Sequence, residues 1–138
     1  MFDELIKYPN NGHFFFKKGD RLSEVSREVP EMPGVYYILL LSKGKIELVY
    51  IGKAGTVAQN GRFKDQKLKG RINNKQDGVP RQQFFDQKMK DENIDGLDIC
   101  WFVTMDKNNS DLPGFVEGLL VQRHFELQGK LPLWNRDF

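Results

Sequence analysis

An α+β domain, a small antiparallel three-stranded sheet flanked by helices, follows from three features of the sequence. Two apolar runs rich in β-branched and aromatic residues, 35–41 and 46–51, flank a Ser-Lys-Gly-Lys turn and predict an antiparallel hairpin. Residues 97–104 set Ile99, Trp101 and Val103 on one face and predict a third strand. Residues 113–127 keep helical spacing between a proline at the start and a glycine just past the end. The order β-β-α-α-β-α leaves helices to pack against one small sheet.

Each element can be justified in turn. Residues 2–8 read as a short helix, Pro9-Asn10-Asn11-Gly12 as a turn, residues 13–16 as a short aromatic segment and residues 22–28 as a helical turn. Pro30 and Pro33 then bar a helix and launch the first strand, because proline restricts the residue before it to extended backbone. Residues 62–73 are expected to be helical, at least in their second half. Residues 81–93 are more firmly so, since Phe84, Phe85, Lys88 and Met89 follow helical spacing. Residues 106–110 are polar turn formers and predict an exposed loop. In the last helix Phe115, Leu119, Leu120 and Phe125 draw an apolar stripe, and Gly129 with Pro132 supplies the stop.

The 138 residues suit one domain with a single core, residues 1–31 an N-terminal extension and 33–135 the core. Hydrophobic residues make up 39% and charged residues 29%, a soluble composition, and the longest apolar run, 35–41, is far too short to span a bilayer. Residues 1–8 carry acids where a secretory signal would have a basic and then an apolar region, so a cytoplasmic location is expected. Cys100 is the one cysteine, which excludes an internal disulfide and a cysteine-based metal site and leaves a small core residue. The net charge of +2 is modest but unevenly placed: residues 53–75 hold seven basic residues and one acid, Asp65. Such a run is either a solvated face or a surface for phosphate.

Most templates for chemistry fail. His13 and His124 lie far apart without a ligand-spaced partner, and no GxSxG, Walker or GxGxxG motif occurs. What remains is a hairpin carrying Gly34-Val35-Tyr36 and Tyr50-Ile51-Gly52, followed by an arginine and a helix-borne glutamate. Tyr36 and Tyr50 are either half-buried sheet aromatics or two hydroxyls brought side by side. Tyr37 faces the opposite side from Tyr36 and is expected to pack in the core. Gly34 and Gly52 are either strand-end glycines or places where backbone approaches phosphate. Glu117 suits a helix start, where the dipole favours an acid.

PGVYYI followed by VYIGKA resembles the two signature elements of the GIY-YIG nuclease superfamily, with Val35 where isoleucine is usual. Downstream, Leu68-Lys69-Gly70-Arg71-Ile72 is similar to the family's arginine helix, Glu117 to its metal-binding glutamate and Asn135 to its late asparagine. The resemblance spans residues 33–135, about three-quarters of the chain. It implies an endonuclease that hydrolyses DNA, double-stranded or branched, with Mg²⁺ or Mn²⁺ held by Glu117. One carboxylate suffices for such a cation, which keeps several waters. Arg71 would grip phosphate oxygens with its forked guanidinium. Tyr36 and Tyr50 would line the cleft, one as general base or water-positioner and the other as hydrogen-bond partner of phosphate or metal-bound water.

By the same resemblance Gly52, Lys53, Arg62, Lys67, Lys69, Lys75 and Asn135 would bind or support DNA phosphate, with Gln82 and Gln83 in reach. The gap from Gly52 to Arg71 is longer than the family's usual one, which makes Arg62 a rival for the arginine role. Lys75 stands where many members have His or Tyr, which moves weight to a tyrosine as base. Asn135 also suits a turn or cap. Two other readings stand beside the nuclease: a catalytically inactive module of the same fold that binds nucleic acid or protein, and an enzyme for a small phosphorylated compound.

Overall fold

The computed structural model describes residues 1–138. After a 3₁₀ turn (Asp3–Leu5) come β1 (Asn11–Phe16), α1 (Leu22–Val25), β2 (Gly34–Ser42), β3 (Lys45–Ala54) and α2 (Leu68–Ile72). The short strands β4 (Lys75–Gln76) and β5 (Val79–Pro80) lead into α3 (Arg81–Asp91), β6 (Gly96–Val103) and α4 (Pro113–Gln128). The main sheet is antiparallel in the order β1-β6-β2-β3. No helix is long and apolar enough to cross a membrane.

The hairpin forms where expected. Its two-residue loop, Lys43-Gly44, has φ of 50° and 75°, the backbone that matches the twist of the flanking strands. The sheet has four strands rather than three, because the aromatic segment is β1, paired along β6. His13-Phe14-Phe15-Phe16 hides its alternation by being aromatic at every position: Phe16 is buried whereas Phe15 is 46% exposed. At the N-terminus, Phe2, Leu5 and Tyr8 are all buried at three-residue spacing, which suits the 3₁₀ turn found in place of the longer helix.

Two apolar clusters lie on opposite faces of the sheet. Tyr36, Ile38, Leu97, Ile99, Trp101 and Val103 meet α2 and α3 through Leu68, Ile72, Phe84 and Phe85. Val35, Tyr37 and Ile51 meet α4 and the N-terminal turn through Val116, Leu120, Val121, Phe2 and Leu5. On α4 the buried stripe is therefore Val116, Leu120 and Val121, while Phe115, Leu119 and Phe125 are 58%, 38% and 51% exposed. The helix offers two adjacent apolar stripes, and the one beginning at buried Pro113 took the sheet.

Residues 62–67 are not helical: Phe63 bridges back to Val57 and the helix starts at Leu68. RFKDQK has only Phe63 to bury, too little to hold a helical turn. The first amides of α2 are satisfied from outside, Leu68 N–H by the Met32 carbonyl at 3.0 Å and Gly70 N–H by Glu31 Oε1 at 3.1 Å. This docks Arg71 against the start of β2.

Candidate active site

Register brings Tyr36 and Tyr50 together. Tyr36 stands opposite Gly52 and Ile38 opposite Tyr50, so the tyrosines are diagonal neighbours on one face. Just beyond, β3 has one more residue than β2, Val49, and this bulge lets both Val49 and Tyr50 pack towards the same cluster. The two tyrosine ring centroids are 5.9 Å apart at an interplanar angle of 37°. Tyr37 goes to the other face, edge-on to Phe2 at 5.6 Å and stacked on Phe102 at 5.9 Å.

Gly52 is buried under this pair. A Cβ there would stand 2.7 Å from Tyr36 Cζ, 2.8 Å from Tyr36 Oη and 2.7 Å from Tyr50 Cε2. Its missing side chain seats the rings. Gly34 serves strand packing instead, since its Cβ would meet the Phe102 carbonyl at 2.1 Å. Gly52→Ala is expected to lower stability by about 1–3 kcal/mol and to alter the near-UV circular dichroism of the tyrosines. An unchanged urea midpoint and spectrum would show that the rings do not need the space.

Arg81, the first residue of α3, was not singled out in the sequence. It is 1% exposed and donates through one terminal nitrogen to Tyr36 Oη at 2.7 Å. Its guanidinium carbon lies 5.3 Å from the centroids of both the Tyr36 and the Tyr50 ring. The legible signal was Asp77-Gly78, with φ of 52° and 82°, which turns β4 into β5 and sets where α3 begins.

Glu117 reaches the β3 edge from α4. It is the fifth residue of that helix, beyond the first turn, so the dipole explains little of its presence. Burial raises its carboxyl above the usual carboxylate range, against the opposing pull of Lys53 and Arg71. It forms no ion pair with either. Tyr50 is raised chiefly by burial and then by Tyr36; Arg81 opposes the rise and Glu117 adds to it. Lys53 and Arg71 thus act on Glu117, and Glu117 and Tyr36 on Tyr50, about an edge strand with α2 on one face of the sheet and α4 on the other. Arg71 Nε is buried without a partner.

Asn135 pins that edge. Its Oδ1 accepts from Ile51 N–H at 3.0 Å and its Nδ2 donates to the Ile51 carbonyl at 2.9 Å, while Trp134 N–H donates to the Val49 carbonyl at 2.8 Å. The side-chain amide completes the open edge of β3 between Tyr50 and Gly52. Asn135→Ala is expected to destabilise by about 1–2 kcal/mol. Asn135→Asp should do more harm, because a carboxylate oxygen replaces the amide donor at the Ile51 carbonyl. Equal denaturation midpoints for the two variants would contradict this role.

The other expected phosphate contacts divide. Lys53, Arg62, Lys67 and Lys75 are in no ion pair, and Arg62 and Lys75 are exposed. Lys69 Nζ donates to the Arg27 carbonyl at 3.3 Å. Gln82 is committed inside the fold, accepting from Leu22 N–H at 2.6 Å and donating to the Asp20 carbonyl at 3.0 Å, whereas Gln83 is exposed. Cys100 is half-buried, and burial pushes its thiol up to about 12.

No group of three or more His, Cys, Asp or Glu side chains converges as a metal cage. The unpaired, half-buried Glu117 carboxylate nevertheless suits a hard divalent cation that takes one protein oxygen and keeps water elsewhere. No protein-family model, curated protein or solved structure matches the chain.

Proposed function

We propose that the protein is a divalent-metal-dependent endonuclease of the GIY-YIG type, hydrolysing phosphodiester bonds in double-stranded or branched DNA. The observation that carries this reading is the meeting of a tyrosine pair, Tyr36 buried and Tyr50 half-buried, with one unpaired carboxylate on which Lys53 and Arg71 act. A fold that merely bound nucleic acid would need the cations but not a half-buried Glu117 beside them.

Glu117 would hold Mg²⁺ or Mn²⁺. When bound, the cation supplies Lewis-acid polarisation of the phosphoryl group and an acidified water. The chain does the rest. Arg71 and Lys53 neutralise charge that builds on the non-bridging oxygens, and Arg71 can offer two parallel donors. Tyr50, half-buried and raised by burial, stays protonated at neutral pH and donates a hydrogen bond to the phosphate or its water; Tyr36, 1% exposed and held by Arg81, supports it from beneath. The unpaired cations Arg62, Lys67 and Lys75 hold the backbone without reading sequence.

Fluorescent linear, nicked and branched duplexes incubated with the protein test the reading. Cleavage should appear with Mg²⁺ or Mn²⁺ and stop with EDTA. Salt-sensitive binding without cleavage in either metal would point to the inactive binding module instead.

A further inference from the structure

Arg81 is among the largest fully buried side chains and is a cation without an acid. Three effects oppose that placement. Burial removes the hydration of the guanidinium, no carboxylate balances it, and it sits at the first position of α3, where the helix dipole disfavours positive charge. Its Nε is buried with no partner at all. Against these stand one short hydrogen bond, to Tyr36 Oη at 2.7 Å, two long ones, to the carbonyls of Arg71 and Ile72 at 3.4 Å, and two aromatic rings at 5.3 Å. All of the short-range compensation comes from the tyrosine pair and from the end of the helix that carries Arg71. At 1% exposure Arg81 cannot itself touch a substrate.

We propose that Arg81 is a positioning residue: one buried guanidinium holds the Tyr36 hydroxyl, the Tyr50 ring and the Arg71 backbone in a single arrangement. Because Tyr36 Oη accepts from Arg81, its own proton must point away from Arg81. The hydroxyl therefore has one orientation rather than several. The cation also lies against both rings, so neither can swing without losing a cation–π contact in a desolvated place, where such contacts are strongest. The bonds to the Arg71 and Ile72 carbonyls fix the end of α2 relative to the tyrosines. The catalytic meaning of this arrangement rests on the nuclease reading; the arrangement itself does not.

The test separates the two. Urea denaturation of the wild type, Arg81→Lys, Tyr36→Phe and the double variant forms a cycle that needs no activity. The proposal expects strong coupling, the Lys substitution being far less damaging once the Tyr36 hydroxyl is gone. Additive effects would overturn it. Should Arg81→Lys not fold, NMR of the wild type decides. The Arg81 guanidinium protons should exchange slowly and show contacts to both tyrosine rings; fast exchange without those contacts would overturn the proposal. Where the wild type cleaves DNA, Arg81→Lys should lower kcat by about 100-fold with KM little changed, as a misplacement of about 1 Å does. A change confined to KM would contradict a positioning role. A wild type that cleaves nothing while the cycle shows coupling would remove the nuclease reading and leave Arg81 as the holder of the pair.

Discussion

Arg71→Ala is expected to lower the DNA cleavage rate about a thousandfold, the scale of losing one preorganised donor to transition-state charge. Arg62→Ala should leave kcat nearly intact, weaken binding and reduce the salt dependence of affinity by about one unit of slope. The contrast follows from placement. Arg71 leaves a short helix docked against residues 30–32 and lies close enough to Glu117 to oppose the rise of its carboxyl. Arg62 is an exposed residue in the loop after β3, its backbone closing a turn with Ala58. Single-turnover rates measured with saturating enzyme separate the two, since they are insensitive to affinity. Similar loss of rate in both variants would contradict the assignment.

Glu117→Gln should abolish metal-dependent cleavage and, at neutral pH, raise stability. The fold raises this carboxyl chiefly by burial, so ionising it opposes folding. The stability contributed by the protonated form is complete below the ordinary glutamate range of the unfolded chain. It is lost as pH rises through the raised value of the folded state. The glutamine variant does not titrate there, so its advantage should be absent in acid, grow across that interval and level off above it. Mg²⁺ or Mn²⁺ should stabilise the wild type by binding the folded form and leave Glu117→Gln unmoved. Thermal unfolding as a function of pH, with and without metal, checks both halves. A variant less stable than the wild type at neutral pH would show that Lys53 and Arg71 outweigh burial.

How much could be read in advance depended on whether a residue's role was local. The hairpin, β6 and α4 were legible because their patterns have the right period and their ends carry Gly or Pro. Strand β1 was not, since an aromatic run has no alternation to see. Of the expected stripe of α4 only Leu120 is buried, because two stripes compete and the sheet selects Val116 and Val121 beside it over Phe115, Leu119 and Phe125. Among site residues, Tyr36 and Tyr50 could be paired from the hairpin register, whereas Gly52 and Asn135 turned out to shape and pin the edge strand. Arg81 is legible only as a helix start set by the Asp77-Gly78 turn, since nothing in PRQQFF distinguishes a buried arginine from an exposed one. Its partner is Tyr36, on β2, and only the tertiary fold brings the two together.

The most direct test of the central claim, that the cluster at the β3 edge cuts phosphodiesters, is one gel. Supercoiled plasmid is incubated with equal amounts of the wild type and of folded Glu117→Gln, in Mg²⁺ and in Mn²⁺. The account predicts open-circular and linear product from the wild type alone, in at least one of the two metals. No product from the wild type in either metal, or equal product from both proteins, would contradict it.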